Sequence, residues 1–298
     1  MFPTRPLADN FMDGDPAWLA YLTDHELVTR FVVFLGVFVS LGTLETVAPR
    51  RRNRLSRWLR WTSNIAILGI SNGLLRLTFP VLSVGMALIA QEHGWGLFNA
   101  LHAPTAIALF GSVLLLDLAI YLQHVVFHAV PTLWRLHRMH HADTELDVST
   151  GLRFHPIEIV LSMVLKLMVV VALGPPVIAV FVFELLLNVS SMFNHSNIRV
   201  PLGFDRILRR LVVTPDMHRV HHSIDRRETN SNFGFNFPWW DRLFGTYVAQ
   251  PHAGHDAMTI GIERFRTVRD LRLDRMLIQP LLGPADAYFL ERKNPTDD

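Results

Sequence analysis

The sequence predicts an all-α integral membrane fold: about four to five transmembrane or hairpin helices joined to a cytosolic helical cap. Three observations carry that expectation. Of 298 residues, 50% are hydrophobic and 18% charged, with a mean hydropathy of +0.26, too apolar for an ordinary soluble domain of this length. The apolar residues gather into runs able to cross a hydrocarbon core of about 30 Å. Most of the fifteen histidines lie between or after those runs, in positions that alternating crossings bring to one side.

Residues 1–26 carry Asp9, Asp13, Asp15, Asp24 and Glu26 against Arg5 alone. They read as a polar leader without the basic start and cleavage site of a signal peptide. Leu27–Val47 supplies a first span, which runs into Arg50, Arg51, Arg52, Arg54, Arg57 and Arg60. Such density beside a span marks the cytoplasmic side. The formal net charge is only +2, so the clustering of basic residues matters more than their total. The apolar flanks argue against a nucleic-acid patch.

Ile65–Ala90 contains Arg76 and Pro80 and reads as either a kinked span or a broken pair of helices. The loop that follows lacks Lys and Arg, as expected of the outer side, and its His93 and His102 read as loop residues. Pro104–His124 brings the chain back. Ile157–Leu173 and Pro176–Met192 form a hairpin about Gly174-Pro175-Pro176, a strong turn signal. Five crossings would put the N terminus outside and the C terminus inside.

From Asn194 onward the chain is expected in the cytosol, with Arg206, Arg209 and Arg210 against acidic headgroups and Trp239 and Trp240 at the interface. No linker divides the chain, which reads as one membrane domain. Its parts are the leader, spans over 27–123, histidine boxes over 124–156, the hairpin over 157–193, a cap over 194–261, and an amphipathic helix and tail over 262–298.

The histidines are spaced for chemistry. On a helix advancing about 100° per residue, Asp117, Tyr121, His124 and His128 share a stripe roughly 60° wide. The next segment, HRMHH, contributes His137, His140 and His141, and its spelling returns as His218, His221 and His222. His155 stands just before an apolar block and His195 just after one. With no cysteine, metal chemistry falls to imidazole and carboxylate, and imidazole suits Zn, Cu, Fe and Ni alike. Two metals could use nearly all of these rings. Asp117 and Tyr121, ionisable groups inside a span, are expected to orient the metal-bound rings.

The motifs DLAIYLQHVVFH, LWRLHRMHH, RFHPIE, NHSNI, TPDMHRVHH and NFGFNFPWWDRLFGTY, from Asp117 to Tyr247, resemble those of the fatty acid hydroxylase and sterol desaturase superfamily. The resemblance implies a di-iron site that uses O2 to attack an unactivated C–H bond of a sterol-like, fatty-acyl or ether lipid, by hydroxylation or desaturation. Zinc could replace the iron on purification. Carried over by position, His124, His128, His137, His140, His141, His218, His221 and His222 would be ligands. His195 opens the family's third region, but Arg199 stands where many members carry a second histidine, so that ligand is either absent or supplied by His155. Asn194 and Asp241, inside the matching motifs, join Asp117 and Tyr121 as supporting residues. Without a dinucleotide fingerprint, a thiolate or a fused haem domain, the electrons would come from a separate ferredoxin, cytochrome or reductase.

Two other readings use the same residues. A zinc-dependent membrane hydrolase acting on a lipid ester or amide would need a carboxylate base, for which Glu158, Asp143 and Asp225 are candidates. A haem or metal-transport protein would use isolated histidines on separate spans or at the bilayer midplane.

Overall fold

The computed structural model describes residues 25–285, so nearly all of the acidic leader and the end of the tail lie outside the described residues. Within them the chain is helical, with two isolated β-bridges, Pro49 with Ile198 and Ser223 with Ile260, and no strand. Five helical stretches are long and apolar enough to cross a membrane. They are α1 (Glu26–Val47), the stretch containing α2 (Arg57–Thr78) and α3 (Ser83–Glu92), α4 (Thr105–Ala129), which a break at Val130 separates from α5 (Pro131–His141), then α6 (Pro156–Leu173) and α7 (Val177–His195).

Of the two readings of Ile65–Ala90, the broken pair is observed. Pro80 cannot donate to a preceding turn and restricts the residue before it, so α2 stops at Thr78 and helix resumes at Ser83. The 22 residues of α2 span about 33 Å, enough to cross. The ten residues of α3 reach about half as far and pack against α6 and α7. At the far end Gly174 closes α6 with a φ of 59°, and a Cβ there would overlap the carbonyl oxygen of Trp95. The two turns remote from the histidines therefore meet, and successive crossings alternate in direction.

Val84 and Ala87 of α3, Val113, Leu116 and Ile120 of α4, Val170 of α6 and Val180, Phe181 and Phe183 of α7 form the core of the bundle. Its outer face is apolar as well: Phe31, Ile107, Phe110, Leu161 and Met168 are exposed. Such a belt needs lipid tails to cover it. Four charges inside this zone, Glu26, Arg30, Lys166 and Glu184, are paired with one another, as a low dielectric favours. Glu184 accepts from Arg30 at 2.5 Å and Lys166 at 2.8 Å, and Arg30 lies 2.8 Å from Glu26.

The cap comprises α5, a 3-10 turn at Val148–Leu152, α8 (Leu202–Leu208), α9 (Pro215–His221), α10 (Trp239–Leu243), α11 (Leu273–Ile278) and several single turns. The arginine run between α1 and α2, read above only as an orientation signal, also clamps this cap. Arg60 is fully buried and donates to both carboxylate oxygens of Asp143 at 3.1 and 2.9 Å, and also to Asp147. Arg50 reaches Asp216 at 3.3 Å and Asp256 at 2.5 Å.

Residues 262–282 do not form the one amphipathic helix expected of them. They make a 3-10 turn at Val268–Leu271, the short α11 and a second 3-10 turn at Gln279–Leu281. Pro280 interrupts the repeat, and the carbonyls of Gln279, Pro280 and Leu282 accept from Arg135 and Arg138 instead of from a continuing helix.

Candidate metal centre

Four helices deliver imidazoles to one buried volume, where they sort into two cages. His124, His128, His137, His141 and His221 form the first; His140, His195, His218 and His222 form the second. Within each cage the candidate ligand atoms lie within 4.8 Å of one another. Metal–imidazole bonds of about 2.0–2.1 Å would gather them with a contraction of a few tenths of an ångström per ligand.

Helical periodicity explains the sorting. Residues four apart share a face, whereas the residue one place before the second of them is turned about 100° from it. His137 and His141 of α5 therefore enter the first cage together, while His140 enters the second. In α9 the arrangement is inverted: His218 and His222 enter the second cage and His221 the first. From α4 the first cage takes the pair His124 and His128, whereas α7 gives the second cage only His195, its last residue. The helices start where they must, with Pro131 and Pro215 at first-turn positions and the Thr214 hydroxyl capping α9.

The outward-facing nitrogens fix the tautomers. The Nδ1 atoms of His124, His140, His195 and His221 lie 2.9, 3.1, 2.7 and 2.7 Å from the carbonyl oxygens of Phe233, Arg153, Ser191 and Ser231. A carbonyl only accepts, so Nδ1 carries the proton and Nε2 presents a lone pair. His137 is held likewise by Glu158 at 2.7 Å and His128 by Asn230 at 3.2 Å. Yet Nε2 of His140 lies 3.0 Å from Nε2 of His195, and Nε2 of His124 lies 3.1 Å from Nε2 of His137. Lone pairs facing at that separation repel unless a cation lies between them.

A proton is a poor candidate for that cation. Burial, reinforced by the neighbouring histidines, holds the pKa values of His140, His141, His218, His221 and His222 well below the ordinary imidazole value. Nε2 of His221 and both ring nitrogens of His222 are buried with no partner among the described residues. A donor set of neutral imidazoles, oriented from behind and short of partners in front, fits metal ions.

The remaining expected site residues stand elsewhere. His155 is in neither cage. Its Nδ1 accepts from Ile157 N–H at 3.2 Å as the N-cap of α6, and its Nε2 lies 3.2 Å from the Leu277 carbonyl. Asp117, Tyr121, Asn194 and Asp241 contact no ring nitrogen of the cages; all four hold the 233–247 loop. Asp117 accepts from Asn236 Nδ2 at 2.8 Å and Trp240 Nε1 at 2.9 Å, and Tyr121 meets Thr246 at 2.9 Å. Asn194 donates to Phe235 O at 3.2 Å, while Asp241 accepts from the N–H groups of Phe233 and Gly234 at 2.8 Å. That loop presents the Phe233 carbonyl to His124, so these residues act one layer farther out than expected. Gly234 lets it close: a Cβ there would lie 2.6 Å from Asp241 Oδ2.

Sequence reasoning considered Glu158 only as a hydrolytic base and missed it as the carboxylate behind His137. Its place in RFHPIE was the available signal, since a carboxylate entering an apolar helix needs a partner. The other two base candidates are engaged elsewhere. Asp143 is locked by Arg60 and Thr150, and Asp225 caps the turn at Arg226–Thr229. Although burial opposes it, Arg60 and Arg153 hold the Asp143 carboxyl below its usual range.

The fatty acid hydroxylase family model matches residues 109–246, which include every cage histidine. By that match the stretch 109–246 belongs with the fatty acid hydroxylase superfamily. An ornithine lipid hydroxylase of Rhizobium tropici is 25% identical over 244 residues, covering 79% of this chain and 72% of that protein. An alkylglycerol monooxygenase of Homo sapiens is 26% identical over 207 residues, covering 68% of this chain and 45% of the human protein. A fatty acid hydroxylase of a Lecanicillium species is 28% identical over 153 residues, covering 45% of this chain and 40% of that protein. No solved structure matches the chain.

Proposed function

We propose that the two cages hold a pair of iron ions and that the protein uses O2 to hydroxylate an unactivated C–H bond of a membrane lipid. The observation that carries this reading is the pairing of two buried all-histidine cages whose Nε2 lone pairs face one another at 3.0 and 3.1 Å. Bound iron would supply the activation of O2. The chain supplies the rest: His124, His128, His137, His141 and His221 hold one ion, and His140, His195, His218 and His222 the other. Glu158 and the backbone carbonyls keep the rings in the ligating tautomer. Phe154, stacked 4.4 Å from the His140 ring, and the burial of the cages exclude water, which would otherwise intercept the oxidant.

Two relatives named for lipid hydroxylation and alkylglycerol oxygenation favour hydroxylation over desaturation. The exposed apolar belt favours a substrate delivered from the bilayer. The arginine run beside α1 favours the cytoplasmic side for the centre, since short loops dense in Lys and Arg are retained there. There a separate ferredoxin, cytochrome or reductase would supply electrons. The hydrolase reading has less support, because Asp143 and Asp225 are engaged elsewhere and Glu158 is bound to His137.

The test is lipid mass spectrometry of cells expressing the protein or its His140→Ala/His141→Ala variant, with and without O2. The expected result is a lipid heavier by one oxygen that needs both O2 and the histidines. A product formed equally well without O2 would sink the oxygenase reading.

A further inference from the structure

Three arginines that the metal centre does not use line one cleft on the last described stretch of the cap. Arg269, Arg272 and Arg275 surround about 230 Å³, with Asp274 as the remaining wall. Asp274 is engaged by Arg272 at 3.1 Å, and the neighbouring Asp270 accepts from the backbone and hydroxyl of Thr267 at 2.9 and 2.7 Å. Arg269 and Arg275 have no ion-pair partner among the described residues. The cleft is therefore net cationic, and guanidinium forks match the oxygens of a phosphate.

Its position shows which anion can reach it. Below the cleft, Met276 is buried against Ile67 of α2 and Met139 of α5. Ile67 lies seven positions, about 10 Å, beyond Arg60 along a membrane-crossing stretch. Val268, Ile278, Leu281 and Leu282 on the same cap stretch leave their side chains exposed. Arginines beside exposed apolar residues, packed on a crossing helix, reproduce the layering of a headgroup zone over acyl chains. The stretch is also tied to the wall of the metal centre. His155 Nε2 lies 3.2 Å from the Leu277 carbonyl, and Arg153 donates to the Met276 sulfur at 3.4 Å.

We propose that this cleft binds the phosphate of an anionic phospholipid, whose acyl chains lie along α2 over the exposed residues of the 268–282 stretch. An acidic redox protein is the less suitable occupant, because the same stretch exposes Val268, Ile278, Leu281 and Leu282, which suit acyl chains better than a polar protein surface. His155 then has a part outside ligation, fixing this stretch to the start of α6.

Native mass spectrometry of the full-length, metal-loaded protein in detergent tests this, using phosphatidylglycerol and phosphatidylcholine as probes. At about fivefold per arginine near an anionic headgroup, the Arg269→Gln/Arg272→Gln/Arg275→Gln variant should lose phosphatidylglycerol affinity on the order of 100-fold. Phosphatidylcholine adducts should be weak throughout. The triple Lys variant should stay within about fivefold of the parent, because it keeps the charge. An Arg227→Gln control at an exposed cap arginine elsewhere, and excess inorganic phosphate added to the parent, should change nothing. Metal content reports folding independently; if the triple Gln variant loses metal, the single Arg275→Gln variant carries the test, with about a fivefold loss expected. Equal binding of the two lipids, displacement by inorganic phosphate, or full retention by a metal-replete Gln variant would each overturn the proposal. So would a Gln variant that keeps phosphatidylglycerol but no longer binds a [2Fe–2S] ferredoxin. Lipid adducts are read without turnover, so failure here is distinguishable from failure of the oxygenase reading.

Discussion

The two cages draw on the same helices in opposite proportion. The first takes same-face pairs from α4 and α5 and one ring from α9; the second takes a same-face pair from α9 and single rings from α5 and α7. One therefore has five imidazoles and the other four. Their backing differs too. Glu158 and Asn230 stand behind the first cage, whereas His140 and His195 of the second rest on backbone carbonyls. The difference teaches that, for a site of four imidazoles, the first cage has a ring in reserve and the second does not.

Removing one ring from each cage should expose that asymmetry most strongly. His195→Ala leaves the second cage three imidazoles, and after loading the variant is expected to hold one ion per chain, against two expected of the parent. His124→Ala leaves four in the first cage and should retain both ions at reduced affinity. Metal analysis after gel filtration decides it: equal losses in the two variants would mean that the fifth ring is not a reserve. For His195→Ala the affinity loss should exceed the roughly 10- to 100-fold typical of a residue behind a ligand.

Glu158→Gln weakens only the backing. Its amide can still hydrogen-bond to the ring but offers no negative charge to His137, so the first cage should lose about 10- to 100-fold in metal affinity while the second is unchanged. Competition with a chelator, followed at each ion by electron paramagnetic resonance or Mössbauer spectroscopy, separates the two. Glu158 is also where sequence and structure diverge instructively. The spans, the boxes and the i, i+4 sharing of His124 with His128 were legible because helical periodicity is local. Which ring of HRMHH enters which cage was not, since it depends on how α5 and α9 pack across about eighty residues of chain. The same limit applies to Asp117 and Asp241. Their presence in an apolar setting predicts a polar partner, and only tertiary structure reveals that the partner is a loop.

Acid should affect both cages together. In the metal-free protein, burial holds His140, His141, His218, His221 and His222 below the ordinary imidazole value of about 6.5. The unfolded chain then binds more protons than the folded one, so this contribution to stability is present above about pH 6.5 and is lost as pH falls toward the depressed values. Thermal melts of metal-free protein should move to lower temperature across that window. Metal-loaded protein should resist until protons displace the ions. A metal-free melting curve that is flat or rises toward acid would contradict neutral cages.

A smaller effect, confined to one cage, is expected from Gly234→Ala. The new methyl would lie 2.6 Å from Asp241 Oδ2 and 2.8 Å from the Phe237 carbonyl, so the loop must shift. Overpacking of this kind typically costs about 1–3 kcal/mol. Because the same loop offers the Phe233 carbonyl to His124, chelator competition should show a modest affinity loss at the first cage alone.

The smallest effect is the most diagnostic for the second cage. Arg199 lies four positions beyond His195, and a histidine there would complete a same-face pair if α7 continued. It does not: α7 ends at His195, Ser196 turns to extended φ and ψ of −62° and 147°, and Arg199 N–H donates to the Ala48 carbonyl at 2.9 Å. Position 199 is thereby tied to the end of α1, so Arg199→His should leave metal content and affinity within about twofold of the parent, well inside the effect of one hydrogen bond. A clear gain in second-cage affinity would mean that α7 extends in solution and that four imidazoles do not complete that site. An unchanged cage would instead identify the end of the helix, and not the identity of residue 199, as the reason the second site has one ring fewer.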